Sequence, residues 1–157
     1  MPIEQKEIPN IVEILRAALQ RIDTSLQPLL LAKLERLAAQ RYRTWAAKSE
    51  EPTRAGLLAC ADREEEIASR VEFLVSDAAS IQDRILSENQ DLLELNRTLF
   101  EGRPLTVQFT MQAEGERAGA AAWNAFAAAT QDPLSQEVLR SCSTLEQANA
   151  DYLRTLL

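Results

Sequence analysis

Glu35, Arg36, Ala39, Ala46, Ala47 and Pro52 recur as Glu116, Arg117, Ala120, Ala127, Ala128 and Pro133, each 81 positions further on. A chain that repeats itself at a fixed interval is constrained to build one structural unit twice and to pack the copies together. The aromatic positions follow the same interval, since Tyr42 maps onto Trp123 and Trp45 onto Phe126. The repeat also reaches further towards the N-terminus, where Ile11, Val12, Glu13, Ile14 and Arg16 match Leu92, Leu93, Glu94, Leu95 and Arg97. The predicted halves are residues 10–76 and 91–157 of a single domain spanning 1–157.

The repeated unit is helical. The 157 residues include only 4 Gly and 6 Pro, so few turns are available to a sheet, while Ala, Leu, Glu, Arg and Gln dominate. Those residues lose little rotamer freedom in a helix. Asn10 is placed to cap a first helix over 11–21, in which Ile11, Ile14, Leu15, Ala18 and Leu19 recur at the helical period. A longer helix is predicted over 25–49 and another over 52–76, with Pro52 tolerated in the first turn of the second but not in an interior. One helix is expected over 81–100, stopped by Gly102, Arg103 and Pro104, and two further long ones over 105–130 and 133–156. The chain therefore reads as all-α, with two similar hairpins joined by a long crossover.

Each long helix carries a glutamate inside its apolar stripe. Glu35 lies among Leu31, Leu34, Ala38, Tyr42 and Trp45, and Glu116 precedes Ala120, Trp123 and Ala127 on one face. In the second helix of each hairpin an interval of 82 aligns Leu57 with Leu139, Cys60 with Cys142, Glu64 with Glu146 and Ala68 with Ala150. That register selects Glu64 over Glu65, whose helical neighbours Asp62, Ser69 and Glu72 mark a solvated face. Four carboxylates delivered to one apolar core would repel one another and lose their hydration, so they require protons, cations or distance.

These residues resemble the ferritin-like superfamily, in particular its rubrerythrin-type members, over most of 25–157. The resemblance rests on a glutamate followed seven residues later by an aromatic, Glu35 to Tyr42 and Glu116 to Trp123, each pair followed by a helix with a pattern related to Glu-x-x-His-Ala. It implies a ferritin-like four-helix bundle of two duplicated hairpins with a crossover and short extra helices. It also implies a di-metal centre of iron or manganese held by Glu35, Glu64, Glu116 and Glu146, with oxygen or peroxide chemistry, iron oxidation or storage as the family's activities. The departure lies in the histidines: the corresponding segments are Glu64-Glu65-Glu66-Ile67-Ala68 and Glu146-Gln147-Ala148-Asn149-Ala150, and the chain contains 0 His. An all-oxygen set suits harder ions such as manganese, magnesium or calcium. Ile67 offers no ligand atom, whereas Asn149 offers an amide oxygen.

Three functions are consistent with these residues. The first is a ferritin-like protein with a degenerate di-metal site in a binding or structural role, more a binding protein than an enzyme. The second is a carboxylate-only metal-binding protein with oxidoreductase or metal-handling activity, and the third a helical module that binds a partner or a hydrophobic ligand. Cys60 and Cys142, one turn before Glu64 and Glu146, read either as thiolates near the site or, the commoner use of cysteine, as small core fillers. Tyr42 reads as a donor to a carboxylate, a gate for an oxidant, or a core aromatic. Arg36 and Arg117 point about 100° away from their neighbouring glutamates, towards the surface.

A net charge of −7 with no basic patch argues against nucleic acid as a partner. No run of about 18 apolar residues is present to span a membrane, and the acidic start of the chain lacks a signal-peptide pattern, so a cytoplasmic protein is expected. The apolar stripe Ile11, Ile14, Leu15 and Leu19 suggests self-association as a homodimer or higher homo-oligomer.

Overall fold

The computed structural model describes residues 8–157, and among them every regular element is helical. In chain order these are α1 (Ile11–Gln20), a single 3-10 turn (Thr24–Leu26), α2 (Gln27–Ala47), α3 (Thr53–Phe73), α4 (Ala78–Glu88), α5 (Asp91–Phe100), α6 (Leu105–Ala129) and α7 (Pro133–Thr155). None is long and apolar enough to cross a membrane.

Local chemistry sets the boundaries. Asn10 Oδ1 accepts from the Glu13 amide at 3.2 Å and caps α1. Asp132 does the same for α7 through the Ser135 amide at 3.0 Å, with Pro133 in the first turn. Pro52 immediately precedes α3 and Pro104 precedes α6, so both prolines sit where a missing N–H costs nothing.

The single helix expected over 81–100 is instead two, α4 and α5. Asn89 breaks it: its Nδ2 donates to the Ile85 carbonyl at 2.9 Å, replacing the backbone donor that would continue the helix. Arg21 then fixes the new start by donating to Asn89 Oδ1 at 3.1 Å and to both oxygens of Asp91 at 2.7 and 2.8 Å.

The four long helices contact one another in the cyclic order α2, α3, α7, α6, with α2 and α6 the most loosely joined. Two apolar clusters fill the space between them. One gathers Tyr42, Trp45, Leu57, Cys60, Phe109 and Leu153, the other Leu31, Ile67, Val71, Trp123, Leu139 and Cys142. Numbering climbs from the second cluster to the first along α2 and α7, and in the reverse sense along α3 and α6, so every neighbouring pair in the cycle is antiparallel. α1 lies against α6 and α2, and α4 against α2. The α1 stripe is thereby taken up within the chain: Ile11 joins the first cluster, and Leu15 and Leu19 pack on the second.

Candidate metal centre

Glu35, Glu64, Glu116 and Glu146 occupy the layer between the two apolar clusters, one from each long helix. Their exposures are 6%, 0%, 1% and 1%. Glu35, Glu64 and Glu146 each offer one carboxylate oxygen to a group in which all three lie within 4.8 Å of one another. Glu116 stands beside this trio, since its charge or hydrogen bonding acts on each of the other three.

Neutral donors hold the acids in place. Tyr42 Oη donates to Glu116 Oε1 at 2.6 Å, and Gln112 Nε2 donates to the same oxygen at 2.8 Å. Trp123 Nε1 donates to Glu146 Oε1 at 3.0 Å, and Asn149 Nδ2 donates to Glu64 Oε1 at 2.8 Å. Two oxygens remain with no hydrogen-bond partner although both are fully buried, Glu64 Oε2 and Glu116 Oε2. An unpartnered carboxylate oxygen in a dry core costs several kcal/mol, of the order that forces a proton or a cation into the site.

Burial is accordingly the main influence on these acids. It pushes Glu64 and Glu146 well above the usual carboxylate range, and the neighbouring carboxylates push in the same direction. Glu35 is raised by burial too, although its interactions with Glu64 and Glu146 pull it partly back. Tyr42 is raised well above its ordinary value by burial and then by the charges of Glu116 and Glu64, so the phenol stays protonated as a donor.

Asn149 is not the ligand that its amide oxygen suggested. Arg63 Nε donates to Asn149 Oδ1 at 2.6 Å, and the amide nitrogen is engaged by Glu64 Oε1 and, at 3.3 Å, by the Cys60 carbonyl. Asn149 therefore orients Glu64 and leaves the centre to carboxylates alone. Ile67 belongs to the apolar cluster beneath. Glu65 lies outside the centre, where it pairs with Arg36 and with Arg43. Arg36 is half-buried and bridges Glu65 and Glu72 rather than lying free at the surface, while Arg117 is exposed.

Both cysteines are fully buried and stand outside the oxygen group. Burial pushes their thiols to about 11 for Cys60 and about 12 for Cys142, which keeps them protonated and unreactive as nucleophiles.

The periodicity gave no role to Gly119. A Cβ at that position would stand 2.9 Å from Glu146 Cδ and 2.9 and 3.0 Å from its two oxygens, so the bare backbone of α6 is the surface on which the Glu146 carboxylate rests. A glycine in the interior of a helix costs about 1 kcal/mol relative to alanine, and here it makes room for the acid. No protein-family model, curated protein or solved structure matches the chain.

Proposed function

We propose that the four long helices form a ferritin-like bundle of two duplicated hairpins, and that its function is to bind a hard divalent cation at Glu35, Glu64, Glu116 and Glu146. The observation that carries this reading is the pair of buried, unpartnered oxygens, Glu64 Oε2 and Glu116 Oε2, within a layer of four carboxyls. Clearance at Gly119 for the Glu146 carboxylate supports it as well. The donor set is oxygen only, which suits manganese, magnesium or calcium better than a metal that prefers imidazole, with iron as the softer alternative. When bound, the cation supplies a positive charge that lets the acids ionise in a dry layer. The residues around it hold rather than react: Tyr42, Gln112, Trp123 and Asn149 fix the four carboxyls. We favour a binding role over an oxidase.

Burial raises Glu35, Glu64 and Glu146, so cation entry is coupled to proton release from these acids. Isothermal titration of chelator-treated protein with Mn²⁺, in two buffers of different ionisation enthalpy, should therefore show stoichiometric binding coupled to proton release. The Glu35→Ala, Glu116→Ala double variant should lose it. Metal-free protein that binds none of these ions sinks the proposal.

A second reading is a structural relic in which protons alone fill the layer, favoured by the raised acids and the full donor set on Glu116 Oε1. Replacing one acid by its amide would then stabilise the chain, whereas an occupied site is destabilised by loss of a ligand.

A further inference from the structure

Where α2 and α6 draw apart, α1 and α5 lie over the gap and line a half-open cleft of about 110 Å³. Its walls include Ile14, Leu15, Leu34, Leu95 and Leu99. Three polar side chains, Arg41, Asn96 and Gln112, converge on it, and Glu35 opens onto it from the carboxylate layer.

Arg41 is the unusual member. Its Nε and one terminal nitrogen donate to Gln112 Oε1 at 3.0 and 2.8 Å, and the other terminal nitrogen donates to Asn96 Oδ1 at 3.4 Å. The guanidinium lies 3.9 Å from the centroid of Phe100. Among the described residues no carboxylate lies within ion-pair distance of it, whereas the comparably placed Arg36 is held by both Glu65 and Glu72. A guanidinium carries five N–H donors, so two of them face no partner among the described residues. Burial lowers its pKa from the ordinary value, while the charges of Tyr42, Glu64, Glu116 and Glu35 act in the opposite direction without any of those carboxylates forming an ion pair with it.

An apolar cleft with one guanidinium on a fixed amide seat, with N–H groups to spare and no ion-pair partner among the described residues, is the complement of a small amphiphilic anion. We infer that this cleft binds a short aliphatic carboxylate, its head paired with Arg41 and its chain between α1 and α5. A cavity of ~150 Å³ takes a benzene ring, so one of about 110 Å³ takes an aliphatic body of about four or five carbons. The planar fork of arginine matches a carboxylate in two-point geometry, and the flat face of Phe100 holds that fork in place. Arg41, rather than any carboxylate of the layer, recognises the ligand's head, so the inference does not require a cation at Glu35, Glu64, Glu116 and Glu146.

Pentanoate tests it, titrated into chelator-treated protein and followed by amide chemical shifts. Saturable binding is expected with Kd at or below about 1 mM, with shifts centred on α1, α5 and the middle of α2. Pentanamide, which has the same shape without the charge, should bind at least tenfold more weakly. Asn96→Asp places an internal carboxylate beside the guanidinium with almost no change in volume, and should likewise weaken pentanoate at least tenfold, as should Arg41→Gln. Failure of pentanoate to saturate below about 10 mM overturns the inference, and so does pentanamide binding equally well. Equal affinity in a folded Arg41→Gln variant would also overturn it. The comparison of pentanoate with pentanamide uses the unaltered chain and stands even if a variant fails to fold. Loss of Mn²⁺ binding with pentanoate binding intact removes the cation reading alone.

Discussion

The hairpin α2–α3 and the hairpin α6–α7 carry their acids at matching positions but surround them differently. Tyr42, seven residues beyond Glu35, donates across to Glu116 on the other hairpin, whereas its counterpart Trp123 donates to Glu146 on its own. Three of the four side chains that fix the acids, Gln112, Trp123 and Asn149, belong to the second hairpin. The aromatics at the matched positions 45 and 126 differ in how deeply they are buried. Trp45 is buried against Tyr42, Phe100 and Phe109, while the matching Phe126 is half-buried and meets Trp123. The first hairpin thus buries its matched aromatic more deeply, and the second supplies most of the donors to the acid layer.

The largest effect that would break this division is on packing. Trp45→Ala should cost about 3–5 kcal/mol in denaturant unfolding, and Phe126→Ala about 1–2 kcal/mol; equal costs would mean that the two ends are built alike. Next comes the response to pH. Burial raises Glu35, Glu64 and Glu146, so the folded chain binds more protons than the unfolded one above the ordinary carboxylate range. Stability of metal-free protein should therefore be greatest below pH ~4.5 as far as these acids are concerned. It should fall as pH rises through their raised values, by up to about 1.4 kcal/mol per unit for each extra proton held. Saturating Mn²⁺ should flatten that slope, and a flat slope without metal would show the acids to be ionised in the fold.

Smaller effects sharpen the contrast between the donors. Tyr42→Phe should cost about 1–2 kcal/mol, because Glu116 Oε1 keeps only Gln112. Gly119→Ala should weaken Mn²⁺ binding at least tenfold by crowding Glu146, whereas Ala38→Gly at the matching position should cost about 1 kcal/mol of stability and leave Mn²⁺ affinity unchanged. The smallest effect belongs to the surface pairs that both halves share. Arg16 with Glu13 and Arg97 with Glu94 are each 2.6 Å apart and largely exposed, and removing either should leave the unfolding midpoint within error of the parent.

These pairs also explain what could be read from the chain beforehand. Most helix positions and the inward direction of four glutamates follow from periodicity, which is what a repeat preserves, and the Asn10 cap follows from residue type alone. The groups that tune the centre lie where the halves differ. Gln112 stands opposite Leu31 at the interval of 81, Gly119 opposite Ala38, and Asn149 opposite Ile67 at the interval of 82. The polar members of the cleft follow the same rule, with Arg41 matched to Ala122 and Asn96 to Leu15. A polar or glycine residue set against an apolar or alanine partner was the available signal. The break at Asn89 lacked one, because a single asparagine in a helical pattern acquires its meaning only when Arg21 arrives from α1.

Each hairpin is a local structure, closed by a short turn between helices adjacent in sequence, and such contacts form early and cheaply in folding. The acid layer is different, since it exists only after the halves meet across the crossover. Until then Glu35, Glu64 and Glu146 lack the burial by the opposite hairpin that raises them. The encounter of the halves is therefore the step that takes up protons or a cation, and the folding arm of a chevron should slow as pH rises while hairpin formation does not. A layer placed in the core thus sets the timetable by which the two halves become one molecule.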